Sequence, residues 1–408
     1  MYWFSAARAR IIRTVSAWRT VSVLWGLLVA VGCFGSAHAQ IALSTATWAS
    51  GAATSSPPEC LAADFNNDGA TDLVCGFGSP QVSLSTASAT SGFTTSTWSG
   101  ATDIYENSCY TGNFLGSGKA GLACWYDYDN DYYLSGNYST GSNFTQVWAT
   151  GYWYNTSFTG CLVGNFTTGG AASLACNVTG STTWTIFSFT STGVTSQNWT
   201  GGYSPAAPAG NHCVTGDFNG DGLTDIACYT GSGGNWSISL STGKSFATAQ
   251  TWSSGVAPGN ALDCFDGDFT GDGMADIACW TGSTTTGQWA VALSTGTSFN
   301  TVSTDWTGPT PNSSTITNNC LTGDFGGDGR MSIACYNGSG NWTFGLANGA
   351  GFTNETITSS SGGQSPSEPL STYCLTGDFI NGGLTDIACN AGGSSNWTVS
   401  VVSRASGY

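Results

Sequence analysis

Cys213-Val214-Thr215-Gly216-Asp217-Phe218-Asn219-Gly220-Asp221-Gly222-Leu223-Thr224-Asp225-Ile226-Ala227-Cys228 is one of seven related stretches in this chain. Each runs from a cysteine, through a glycine-rich turn, to a second cysteine 15 residues on. The pairs are Cys60 with Cys75, Cys109 with Cys124, Cys161 with Cys176, Cys213 with Cys228, Cys264 with Cys279, Cys320 with Cys335, and Cys374 with Cys389. First cysteines recur every 49 to 56 residues. Self-similarity at this period signals an architecture built from repeated supersecondary units.

Outward from the fourth stretch, the rest of the repeat reads as short strands. Thr224 to Tyr229 leaves the turn, Asn235 to Leu240 alternates, and Phe246 to Trp252 follows a turn at Thr242-Gly243. About four short strands per repeat make a propeller blade. Seven repeats predict an all-β, seven-bladed β-propeller over residues 40–408. The alternative is an open solenoid. The last repeat stops one strand short, after Trp397 to Val401, while Leu43 to Gly51 resembles the end of other repeats. The N-terminal strand is therefore expected to complete the seventh blade, which removes open sheet edges. The recurring Trp184, Trp236, Trp289, Trp342 and Trp397 read as inter-blade core rather than as ligand platforms.

Residues 1–39 read as a secretory signal peptide. Arg8, Arg10, Arg13 and Arg19 precede an apolar run, Val21 to Val31, and Ala37-His38-Ala39 offers a small-residue cleavage site. The apolar run is shorter than the roughly 20 residues a membrane span needs. Lipidation at Cys33 is the weaker alternative, because Ala30-Val31-Gly32 is a poor lipobox. Beyond the leader only Lys119, Lys244, Arg330 and Arg404 oppose 24 carboxylates, a net charge near −20. Such a surface repels nucleic acid and anionic membranes. Fourteen evenly spaced cysteines predict seven disulfides within repeats and an oxidising destination: periplasm, cell surface or medium.

The turn sets oxygen donors at fixed offsets. Loop positions 1, 3, 5 and 9 are Asp64, Asn66, Asp68 and Asp72 in the first repeat. They are Asp217, Asn219, Asp221 and Asp225 in the fourth, and Asp268, Thr270, Asp272 and Asp276 in the fifth. The position-7 carbonyls belong to Ala70, Leu223 and Met274. Carboxylates, a carbonyl and water suit a hard cation with six to eight oxygen ligands, hence Ca²⁺. Position 12 is a cysteine on a strand, so the loop is no EF-hand; an acidic Asx-type turn without metal is the other reading. The sixth repeat has Ser332 at position 9, the seventh has Gly382 at position 5, and the second and third have no carboxylate in the loop.

The core D-F-N-G-D-G-L-T-D-I-A, Asp217 to Ala227, resembles the FG-GAP/VCBS repeats of integrin α-subunit propellers and of the seven-bladed Psathyrella velutina lectin. The resemblance extends over residues 41–408. It implies a propeller with calcium in its loops, while the regular cysteine pair is a departure from most integrin-type repeats. Fold alone does not fix function.

No catalytic residues are assigned and no enzyme is expected. Beyond the leader His212 is the only histidine, and no phosphate- or dinucleotide-binding fingerprint occurs. Asp127, Asp129 and Asp131 could supply a glycosidase pair, but their alternation with tyrosines suits a solvated strand face or a further cation site. Abundant Trp, Tyr, Asn, Ser and Thr, with the resemblance to a lectin, point to a secreted, calcium-stabilised carbohydrate-binding module, expected to be a monomer. The rival is an adhesion or scaffold propeller that binds a cell-surface protein; the polysaccharide-active enzyme comes third.

Overall fold

In a computed structural model, residues 41–404 are described, apart from 49–59, 77–79, 89–91, 102–108, 129–130, 149–157, 159, 179, 206–212, 232, 257–263, 283–286, 302–305, 312–319, 337–340, 359–373 and 391–395. The expected signal peptide, His212 and Asp129 lie outside the described residues.

Each repeat is one antiparallel sheet, and the seven sheets form a seven-bladed β-propeller. In blade 4 the strands are Cys213–Gly216, Asp225–Tyr229, Asn235–Ser239 and Gln250–Ser253, in that order from the inside out. The second strand, Asp-Ile-Ala-Cys-Tyr, is buried nearly throughout. That explains its continuous apolar run: neighbouring blades cover both of its faces, so alternation is unnecessary. The innermost strand is only partly buried, and small residues dominate it.

Ring closure follows the expected route. Ile41–Trp48 pairs antiparallel with Trp397–Arg404, in register from Ile41 opposite Arg404 to Trp48 opposite Trp397. Blade 7 thus takes its outermost strand from the start of the folded chain. One outer strand differs from the sequence reading. In blade 4 the ladder begins at Gln250 rather than Phe246. Phe246 packs its ring in the seam beside Phe166, Trp184 and Trp199, and its backbone makes an isolated bridge to Ser241. In blade 5 the described parts of the outer edge, Phe299–Thr301 and Trp306–Thr307, both pair with the third strand.

The core lies between blades rather than within them. Seven hydrophobic clusters each combine residues of two adjacent blades, one cluster per seam. The seven loop-position-2 phenylalanines, from Phe65 to Phe379, are at most 1% exposed. Trp184, Trp236, Trp289, Trp342 and Trp397 are all buried, as their recurrence suggested.

All seven cysteine pairs form disulfides within their own repeats. Cys60 bonds to Cys75, Cys109 to Cys124, and Cys161 to Cys176. Cys213 bonds to Cys228, Cys264 to Cys279, Cys320 to Cys335, and Cys374 to Cys389. In every blade the two cysteines stand directly opposite each other on the first two strands. The staple therefore closes the hairpin that carries the acidic turn. Position 12 of the loop, held by Cys75, Cys228 and Cys279 in the three complete repeats, is spent on this bond and offers no oxygen to a cation.

Candidate metal centre

The acidic turns all lie on one inner ring. A single backbone hydrogen bond repeats at every seam: the position-8 N–H of one loop donates to the position-1 carbonyl of the preceding blade's loop. Thr224 donates to Asn165 (2.9 Å), Ala275 to Asp217 (2.7 Å), Met331 to Asp268 (2.7 Å) and Thr385 to Asp324 (2.9 Å). Thr71 donates to Asp378 (2.7 Å), which closes the circle, and Ala120 and Ala172 continue it through Asp64 and Asn113. Backbones approach closely here. A Cβ on Gly216 would stand 2.4 Å from Ala275 Cβ, and one on Gly377 2.4 Å from Thr71 Cγ2. Only glycine leaves room for the neighbouring loop at these positions.

Within a complete loop the position-1 carboxylate gathers the turn. Asp217 Oδ1 accepts from the N–H groups of Gly220 (2.6 Å) and Asp221 (3.0 Å), and Oδ2 from Gly222 (2.7 Å). Asp221 Oδ1 accepts from Leu223 N–H (2.9 Å). Asp64 and Asp268 make the same pattern in the first and fifth loops. Gly222, with φ of 84°, and Gly220, with φ of 75°, take the left-handed conformation the turn needs. Positions 1, 3 and 5 therefore share one compact, solvent-facing turn.

Position 9 is placed differently. Asp72, Asp225 and Asp276 are fully buried. Asp225 Oδ2 accepts from Phe218 N–H (3.0 Å) and Oδ1 from Ser241 N–H (2.7 Å). Ser241 Oγ in turn donates to the Phe166 carbonyl of blade 3 (2.7 Å). Ser294 and Asp276 repeat this brace between blades 5 and 4. These serines, which carry no sequence flag beyond their recurrence after the third strand, tie each loop to its neighbour. Burial pushes the carboxyls of Asp72, Asp225, Asp276 and Asp386 up to about 7; their backbone donors pull the other way, and the position-5 carboxylates in the first, fourth and fifth loops, with the position-1 carboxylates in all four, add repulsion.

Two outcomes follow for Asp225. Asp225→Ala orphans two buried N–H groups, so it should cost about 2–5 kcal/mol of unfolding free energy in a denaturant titration. The folded pKa lies above the 3.8 of an ordinary carboxyl, so between the two values the folded chain binds protons that the unfolded chain has released. Metal-free protein should therefore gain thermal stability as the pH falls from about 8 to about 5, read as Tm in chelator.

The donor chemistry suits a hard cation in the first, fourth and fifth loops. Carboxylates at positions 1, 5 and 9 repel one another there, and a cation would relieve that repulsion. As they stand, no group of three or more acidic, cysteine or histidine side chains converges as a cation cage among the described residues. The second and third loops lack such donors; the sixth is occupied otherwise, as described below. In blade 2, the strand ending at Tyr128 pairs antiparallel with the strand beginning at Asp131, with Asp127 opposite Tyr132 and Tyr128 opposite Asp131.

The sequence model for the FG-GAP-like repeat matches residues 217–279 and 268–335. No curated protein matches the chain in sequence. Among solved structures, a Photorhabdus luminescens Tc holotoxin pore is similar at 12% identity and a TM-score of 0.48, over 89% of this chain and 14% of that one. The chain thus spans about a seventh of the toxin chain's length. The rhamnogalacturonan lyase YesW is similar at 11% identity and a TM-score of 0.46, over 87% and 72% of the two chains. The V. cholerae biofilm matrix protein Bap1 follows at 12% and 0.32, over 90% and 71%. Likenesses this remote fix nothing about activity.

Proposed function

We propose that this FG-GAP-repeat β-propeller is an exported, non-catalytic binding module for a protein surface, with calcium in the loops of blades 1, 4 and 5. One observation carries the choice of partner. Among the described residues twelve tryptophans are buried in the blades, while Trp148 is 36% exposed. Among the described residues, the tryptophans that suggested stacking platforms for sugars are, apart from Trp148, spent on the core. What remains outside is a polar surface dressed with Thr, Ser and Asn, as in the outer strand Phe352-Thr353-Asn354-Glu355-Thr356-Ile357-Thr358. A broad polar face with scattered apolar anchors suits a protein partner.

Export rests on the seven disulfides, which persist in oxidising compartments. No helix among the described residues is long and apolar enough to cross a membrane. Calcium would be held by Asp64, Asn66, Asp68 and Asp72, and by their counterparts in blades 4 and 5. It would neutralise the clustered carboxylates and fix the inner ring.

The sugar reading keeps one supporting observation: exposed Trp148 stands edge-on to Tyr133, with centroids 6.4 Å apart, a small aromatic surface on blade 2. A glycan array run with calcium separates the two readings. The protein-binding reading expects blank arrays and a saturable, purified protein ligand from a cell-surface display library. Saturable glycan binding that Trp148→Ala abolishes would replace it with the lectin reading. Polysaccharide hydrolysis abolished by Asp129→Asn would make the protein an enzyme.

A further inference from the structure

The sixth loop keeps the shape of a complete one. Asp324 Oδ2 accepts from Gly329 N–H (2.9 Å), Asp324 Oδ1 from Asp328 N–H (3.1 Å), and Asp328 Oδ1 from Arg330 N–H (3.2 Å). Its donor set does not fit calcium. Gly326 stands at position 3, and Ser332 stands at position 9 with its Oγ accepting from Ala347 N–H (3.1 Å). Position 7, an aliphatic residue in blades 1, 3, 4, 5 and 7, is Arg330.

The Arg330 guanidinium folds back over its own loop. Nη1 pairs with Asp328 Oδ2 at 2.7 Å, the one ion pair among the described residues. Nε donates to the Thr270 carbonyl of the blade 5 loop (3.1 Å). A second guanidinium arrives from the other side. Arg404, at the end of the strand that closes the ring, donates through Nε (2.9 Å) and Nη2 (2.6 Å) to the Gly326 carbonyl, and also to the Gly327 carbonyl. One loop is thus held by two fixed positive charges, one spanning the seam to blade 5 and one the seam to blade 7.

The placement of the other basic residues follows the same rule. Lys119 is position 7 of the second loop. Lys244 follows Gly243, which bridges to Thr167 in the third loop. Loops 64–72, 217–225 and 268–276 contain no basic residue of their own, although Arg330 reaches the fifth loop from its neighbour.

We infer that Arg330, assisted by Arg404, replaces a metal ion in the sixth loop, so that the seams of blades 5, 6 and 7 are locked by built-in cations rather than by a bound one. An ammonium or guanidinium on the chain supplies the neutralising charge, and the fork geometry of Arg330 reaches a carboxylate and a carbonyl together. The sixth loop is then indifferent to chelators and sensitive to ionic strength. The inference stands whether or not the first, fourth and fifth loops take calcium.

Hydrogen exchange of the full-length protein, followed by mass spectrometry in chelator and in calcium, tests it. Peptides covering 324–330, which exclude the Met331 N–H bonded to the fifth loop, should exchange at the same rate in both. Arg330→Met should speed exchange over 324–332 and around Thr270 roughly tenfold. Arg330→Lys should restore part of the protection over 324–332 but not that around Thr270, since a point charge cannot span both acceptors. Arg404→Met should loosen 324–332 alone. Calcium-dependent protection of 324–330 in the unaltered chain would overturn the inference, as would unchanged exchange in Arg330→Met. A lack of calcium response at 64–72, 217–225 and 268–276 would instead count against calcium in those loops and leave this inference intact.

Discussion

With its seven disulfides reduced, the protein should not hold the propeller fold at 25 °C. Each bridge closes a 15-residue loop, worth about 3 kcal/mol in the chain-entropy model. Seven of them sum to about 20 kcal/mol, more than the roughly 5–15 kcal/mol by which a typical fold is stable. Protein unfolded in denaturant with a phosphine reductant, then diluted into reducing buffer, should show unfolded circular dichroism and solvent-exposed tryptophan emission. The same dilution without reductant should recover the native signals. Because each bridge belongs to one hairpin, the double variant Cys213→Ala with Cys228→Ala should lose about 3 kcal/mol without unfolding the chain. A reduced protein that melts within a few degrees of the oxidised one would show that the inter-blade core suffices alone.

Trp289→Ala should be the most damaging single substitution in a blade, costing about 5 kcal/mol. Trp289 is fully buried in the seam between blades 5 and 6. It stacks on Phe265, meets Trp280 at 5.3 Å between centroids and faces Phe352 edge-on. Its indole N–H donates to the Pro309 carbonyl (3.0 Å). Removing the ring leaves a cavity and an unpaired buried carbonyl in one step. Trp148→Ala, on a 36% exposed side chain, should stay within about 0.5 kcal/mol of the parent. Equilibrium urea titrations of both variants give the comparison. Equal costs would mean that the seam repacks around the missing indole.

The architecture was legible because a seven-fold repeat states its own geometry. A cysteine pair, a phenylalanine after the first loop position and a tryptophan in the third strand each have one place in a blade, so repetition locates them. Strand limits were less legible where one side chain had two uses. Phe246 alternates as a strand residue should and its ring packs in the seam, yet its backbone makes only an isolated bridge to Ser241 before the ladder begins at Gln250. The acidic turn was legible as a set of oxygens, but composition does not reveal which oxygens the backbone has taken. Asp225 carries the carboxylate expected of a ligand, and in the fold both its oxygens already brace two N–H groups. Arg330 and Arg404 entered the sequence reading as two units of charge. Their meaning lies in position: one is the seventh residue of its own loop, and the other reaches a loop 77 residues away in the chain, a proximity created by the packing of blade 7 on blade 6.

The claim that joins fold to function is that the inner ring carries bound calcium where the acidic set is complete and none where it is not. Elemental analysis of protein purified without chelator tests it most directly. The account predicts about three calcium ions per chain, loss of one ion with Asp221→Ala, and a Tm that falls when a calcium chelator is added. Protein that contains no calcium, and whose Tm the chelator leaves unchanged, would contradict it.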